Sequence, residues 1–145
     1  MNLNRSGFTL LELIIVLFLI TLMLGLSAVF FANTLPSGRF NAAAREMAAT
    51  IRQARHLAQL NGERQVLTID MDSRSYGIEG RGEKILPSGI HLKVIDLLAG
   101  DITSGKYHMT FHPAGSTEGG TVILWNGAKV AQINIDPVAG AVIIK

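Results

Sequence analysis

The stretch "RSGFTLLEL", residues 5–13, decides how the rest of the chain is read. It opens an apolar run, Phe8 to Phe31, whose 24 residues contain one charged side chain, Glu12. As a helix rising 1.5 Å per residue, the run is about 36 Å long, against a hydrocarbon core of ~30 Å. The length suits a membrane span. The acid does not, because ionisable side chains in such segments are expensive and by default mark function.

Two ordinary readings leave Glu12 unexplained. A secretory signal has a basic start, an apolar stretch of about 7–15 residues and a small-residue cleavage site. Arg5 and the amino terminus supply the basic start, but the apolar run is too long. Gly25, Ser27 and Ala28 near its end leave an ordinary cleavage there as an alternative. A plain membrane anchor is the other. The positive-inside rule then places residues 1–7 in the cytoplasm and the C-terminal part outside.

Gly7-Phe8-Thr9-Leu10-Leu11-Glu12 resembles the class III signal of type IV pilins and type II secretion pseudopilins. The resemblance implies that a prepilin peptidase cuts after Gly7, that the new N-terminal Phe8 is N-methylated, and that Glu12 serves filament assembly. The physics agrees. Cleavage would create a second charge, the Phe8 amine, which Glu12 of a neighbouring subunit could approach. Two unit charges 4 Å apart attract by about 4 kcal/mol at an effective dielectric of 20, and desolvation cancels much of that. Glu12 is therefore read as setting register: an incoming subunit settles where the charge is matched.

The whole chain has 145 residues, which suggests one domain. Thirteen Lys and Arg against eleven Asp and Glu give a net charge of +2, which alone does not indicate nucleic acid. The absence of cysteine excludes disulfides, a thiol nucleophile and a cysteine-ligated metal site. The sequence divides into a leader at 1–7, a transmembrane and filament-core helix at 8–36, and an α+β domain at 37–145. Leu35-Pro36-Ser37-Gly38 predicts a kink or short break, since Pro36 lacks an amide hydrogen and crowds the preceding turn.

A second helix is expected from about Phe40 to Leu60. Phe40, Ala44, Met47, Ile51, Ala54 and Ala58 recur at helical spacing, and Ala43 widens the stripe. Asn61-Gly62 is a C-terminal stop. Arg45, Arg52 and His56 fall on the opposite face, with Arg55 at its flank. That face reads as a solvated surface, or as a site for an acidic partner, a lipid headgroup or DNA. Beyond Gly62 the pattern turns to strands: "QVLTIDMD" alternates, and "YGIEG", "ILPSGIHLKVI", "KYHMTF", "GTVILW", "KVAQINI" and "AVIIK" follow. Asn126-Gly127 is a two-residue hairpin signal, and Asp136 to Gly140 a further turn. Two packed antiparallel sheets, or one curled sheet, should cover the second helix.

The C-terminal half also resembles a family. "LPSGIHL", "FHPAGSTEGGTVIL" and "INIDPVAGAVII" are similar to the GspH/FimT minor pseudopilins and minor pilins, whose F-x-P-x-G pattern is met by Phe111, Pro113 and Gly115. The resemblance implies a pilin-like α+β fold and a low-abundance subunit near the filament tip that helps start assembly of the type II secretion pseudopilus. Its implied partners are other minor and major pseudopilins or pilins, the prepilin peptidase, the inner-membrane assembly platform and inner-membrane lipid. The implied location is the bacterial inner membrane, single-pass with the domain in the periplasm, and then the filament. A minor type IV pilin, in pilus priming or DNA uptake, is the alternative. DNA-binding members carry a basic G-R-x-R-like C-terminus, where this chain has Gly140-Ala141-Val142-Ile143, which weighs against DNA.

Gly100 to Lys106 mimics a phosphate loop, but Tyr107 stands where Ser or Thr should bind magnesium, and a strand pattern follows. Asp70, Asp72 and Glu79 suggest calcium, but Arg74 and Ser75 occupy positions needed for a ligand and the loop glycine. His108 and His112 lie on a strand and a loop, not on a helix face. Trp125 reads as core. With no activated nucleophile or acid–base pair, neither catalysis, a metal nor a cofactor is expected.

Overall fold

The computed structural model describes residues 7–145, and the side chains of residues 28–37 fall outside that description. The expected leader therefore lies outside the described residues, except for Gly7. The chain divides into two units, Met1–Gly38 and Arg39–Lys145, each described by itself.

One helix, α1 (Leu10–Asn61), supplies both the apolar span and the expected second helix. No break falls at Leu35 to Gly38, where the sequence predicts a kink or a break. A proline inside a helix removes one backbone bond and crowds the turn before it, which need not end the helix. In the first unit every described side chain from Phe8 to Ser27 is exposed. From Phe40 onward the stripe read from the sequence is buried: Phe40, Ala43, Ala44, Met47, Ile51, Ala54 and Ala58, joined by Ala48. Five of these eight are alanine, so the helix presents a narrow face and the sheets supply most of the bulk.

Nine strands follow: β1 (Gln65–Asp70), β2 (Ser75–Ile78), β3 (Glu83–Ile85), β4 (His91–Asp96), β5 (Gly100–Ile102), β6 (Lys106–Phe111), β7 (Gly120–Trp125), β8 (Val130–Ile135) and β9 (Val142–Ile144). They form two sheets, ordered β3-β2-β1-β6 and β5-β4-β7-β8-β9, with every pairing antiparallel. Register follows from alternation. Leu67 of β1 stands opposite Ile78 and Met109, and all three are buried. Val122 and Leu124 of β7 pair with Val94 and Leu92 of β4 on the inner face of the second sheet. The packed face of α1 and the inner faces of both sheets belong to one buried cluster.

Two local readings are corrected or completed. Gly100 to Ile102, inside the phosphate-loop lookalike, is strand β5, and Lys106 begins β6, so the stretch is a turn between strands. Trp125 is not core. It lies on the outer face of β7, opposite His91 of β4, with ring centroids 5.6 Å apart in a stacked arrangement. The run "GTVILW" is apolar on both faces, so its inner face could be fixed only by pairing.

Candidate processing and assembly site

Gly7, Phe8 and Thr9 precede the helix without regular structure, and all three are exposed, Phe8 at 80%. The Gly7–Phe8 peptide bond thus lies outside the helical hydrogen-bond ladder. Thr9 caps the helix: its hydroxyl accepts from the Glu12 amide at 3.2 Å, and its carbonyl accepts the first helical bond from Leu13 at 3.2 Å. Thr9-x-x-Glu12 is a capping-box spacing. This pattern is legible in the residue types alone, and the cap does not bear on the register role expected of Glu12. Glu12 lies in the first turn, where the helix dipole favours an acid. It is also only about 6 Å of helix beyond Phe8, so its burial in a bilayer would be shallow.

The basic face of α1 is not uniform. Arg45 and His56 are exposed as expected. The Arg52 Nη2 donates to the Val142 carbonyl at 3.4 Å, tying the helix to the strand 90 positions later. Arg55 is partly buried, and its Nε is buried with no hydrogen-bond partner. Two of the three arginines read as an anion or DNA face are therefore turned toward the C-terminal segment.

Of Phe111, Pro113 and Gly115, the glycine lies beside the same arginine. Phe111 is fully buried core, Pro113 is exposed, and Gly115 is buried at φ 90°. The loop closes on itself: the Gly115 amide donates to His112 O at 2.8 Å, and the His112 amide to Ser116 O at 2.9 Å. A Cβ at Gly115 would meet Gln59 Nε2 at 2.8 Å and Arg55 Nε at 3.6 Å. Gly140, at φ 59°, closes from the other side, where a Cβ would strike the Gly115 carbonyl and lie 2.9 Å from Arg55 Cδ and Nε. The loop after β6 and the turn after β8 are joined by Thr117 N donating to Pro137 O at 3.0 Å. Gly115 is thus small because of its positive φ and the nearby Gln59 amide, and Gly140 because the Gly115 carbonyl and the Arg55 side chain crowd it.

The remaining candidates hold turns. Asp70 Oδ1 accepts from the Asp72 and Ser73 amides at 2.9 and 3.0 Å, with the Ser73 amide first among the causes that keep its pKa low. Asp72 Oδ2 accepts from the Gly105 amide. The calcium lookalike is therefore a hairpin whose acids bind their own backbone, and among the described residues no His, Asp and Glu group could hold a metal ion. Asp96 does the same for the β4–β5 turn. It accepts from the Ala99 and Leu98 amides and from the Tyr107 hydroxyl at 2.7 Å, which hold its carboxyl below the usual range. Burial and this bond push the Tyr107 phenol up. Burial, with the Glu46 charge nearby, pushes Tyr76 up to about 12.

Residues 2–28 match the family described as the prokaryotic N-terminal methylation motif. Among solved structures, the minor pseudopilin EpsH from the Type 2 Secretion System of Vibrio cholerae is similar in fold, with a TM-score of 0.58 at 12% identity, covering 74% of this chain and 96% of that one. No curated protein matches the chain. The chain thus combines a methylation motif with a pilin-like fold.

Proposed function

We propose that this type IV pilin-like chain is a minor pseudopilin, a tip-associated subunit that helps initiate the type II secretion pseudopilus. The observation that carries the reading is the pairing of two regions. A methylation motif heads a span, Leu10–Ser27, whose side chains find no cover within the chain. A pilin-like domain, complete in its own core, follows it. Such a span needs lipid before assembly and neighbouring helices after it. Cleavage after Gly7 releases the Phe8 amine, and Glu12 of one subunit meets the amine of the next. The exported domain lies in the periplasm, and the single helix holds the chain in the inner membrane until it joins the filament.

The engagement of Arg52 and Arg55 with the C-terminal segment favours this reading over a DNA-uptake pilin. Mass spectrometry of the mature chain should find Phe8 at the N-terminus carrying one methyl group. A chain starting at Met1 or near Ala28 would overturn the assignment. Glu12→Ala should mature normally yet enter filaments poorly; entry at the wild-type rate would remove Glu12 from docking. The minor type IV pilin alternative is separated by deleting the gene and assaying export and pilus-dependent motility. Loss of export alone supports the pseudopilin.

A further inference from the structure

We propose that a groove of about 540 Å³ at the start of the packed half of α1 binds one anionic phospholipid through its headgroup. The groove lies wholly within the second unit, between α1, the head of β8, and β9. Its apolar lining includes Phe40, Val130 and Ile144, with Val130 64% exposed. Its cations are Arg45, Lys129 and Lys145, and no acidic side chain lines it.

The three cations are placed by backbone rather than by ion pairs. Lys129 sits in the Asn126-Gly127 hairpin turn, where its amide donates to Asn126 Oδ1 at 2.9 Å and its carbonyl accepts from the Asn126 amide at 3.1 Å. Lys145 extends β9 through reciprocal bonds with Gln132 at 3.0 and 2.9 Å. Arg45 projects from the helix and is exposed. Among the described residues, none of the three has an acid within ion-pair distance, whereas Lys84, Lys93 and Lys106 each have one. Unpaired positive charges around an apolar, concave lining fit a phosphodiester that carries hydrocarbon.

Chain connectivity favours lipid over other phosphates. Phe40 follows Phe31, the last residue of the apolar run, by nine positions, a reach of no more than about 32 Å even when fully extended. The groove is thus tethered within reach of the headgroups on the side of the bilayer where the domain emerges. A duplex presents phosphates along a stripe and offers nothing to an apolar lining. The inference rests on reading residues 8–31 as a membrane span.

The test uses the full chain in detergent micelles, titrated with dimyristoyl phosphatidylglycerol or dimyristoyl phosphatidylcholine and read by native mass spectrometry. Wild type should retain one phosphatidylglycerol per chain and discriminate against phosphatidylcholine. Arg45→Gln, Lys129→Gln and Lys145→Gln combined should weaken retention at least about fivefold, given that each cation near an anionic surface contributes on that order. The charge-keeping triple change Arg45→Lys, Lys129→Arg and Lys145→Arg should retain the lipid. Equal retention of both lipids, or unchanged phosphatidylglycerol binding in the glutamine variant, overturns the proposal. So does a duplex oligonucleotide that binds wild type, displaces phosphatidylglycerol and is lost in that variant. Extraction of the chain from membranes by alkaline carbonate would instead refute the span. An intact anchor with lipid binding indifferent to the three cations refutes the groove alone.

Discussion

The two halves of α1 invert the usual expectation about apolar helices. The half richer in leucine and isoleucine, Leu10–Ser27, is exposed throughout, whereas the half built on alanine, from Phe40 to Ala58, buries one stripe. Apolar content therefore does not say which half packs within the chain. The exposed half has large side chains all round, which suits lipid or a ring of other helices. The buried half has a narrow stripe of small side chains, and small residues let sheets approach closely. One half is written for partners outside the chain, and the other for the chain's own sheets.

Four experiments would break or sharpen this contrast. The largest effect should come from Gly7→Val, which puts a branched side chain at the bond to be cut. The mature species should disappear, leaving the full-length mass in membrane fractions. Normal cleavage would show that the exposed half is not headed by a processing site.

Truncating one large apolar residue in each half comes next. Ile51→Ala removes a fully buried side chain and should lower domain stability by about 2–5 kcal/mol. Leu17→Ala, in the exposed half, should change it by no more than about 0.5 kcal/mol. Denaturation of the full chain in detergent, followed by Trp125 fluorescence, measures both. Equal losses would mean that the halves do not differ.

Gly140→Ala should destabilise by about 1–3 kcal/mol, since it adds backbone strain at positive φ to a clash with Gly115 and Arg55. Pairing it with Arg55→Ala should recover the part owed to the Arg55 stem and leave the part owed to the Gly115 carbonyl. Strict additivity of the two changes would remove the proposed contact.

The smallest effect is on the acid side. The Asp96 carboxyl is held low by the Ala99 amide, the Tyr107 hydroxyl and the Leu98 amide. A group whose folded pKa lies below its unfolded value, about 3.9, contributes fully above about pH 5 and loses that contribution as pH falls through the folded value. Asp96→Asn should therefore lower the melting temperature at pH 6 and converge on wild type near pH 2. Curves that stay parallel to pH 2 would show that the carboxylate charge is not what holds the turn.

The sequence was most legible where one period dominated. The stripe from Phe40 to Ala58 is set by helical spacing, and six of its eight buried members plus Ala43 follow from counting; Ala48 borders the stripe and adds nothing to its rhythm. β1 was equally open, because alternation is local; Asn126-Gly127 marked the turn's place but not its length, since four residues, 126–129, join β7 to β8. β3 and β5 were not, since three residues are too few to show a period. The inward turn of Arg55 could not be read at all. It depends on two loops, after β6 and after β8, meeting over a helix far away in sequence, and an arginine on a helix flank looks solvated until they do. The Thr9-x-x-Glu12 cap is equally local, although the charge of Glu12 in an apolar run stands out first.

The bond from Arg52 to Val142 also sets an order of events. The two residues are separated by 90 positions. At about 5–20 residues per second, Arg52 is synthesised roughly 5–18 s before Val142. During that interval the arginine flank of α1 still waits for Gly140 and β9. Helix formation and closure of the arginine flank thus belong to separate stages of one chain's synthesis.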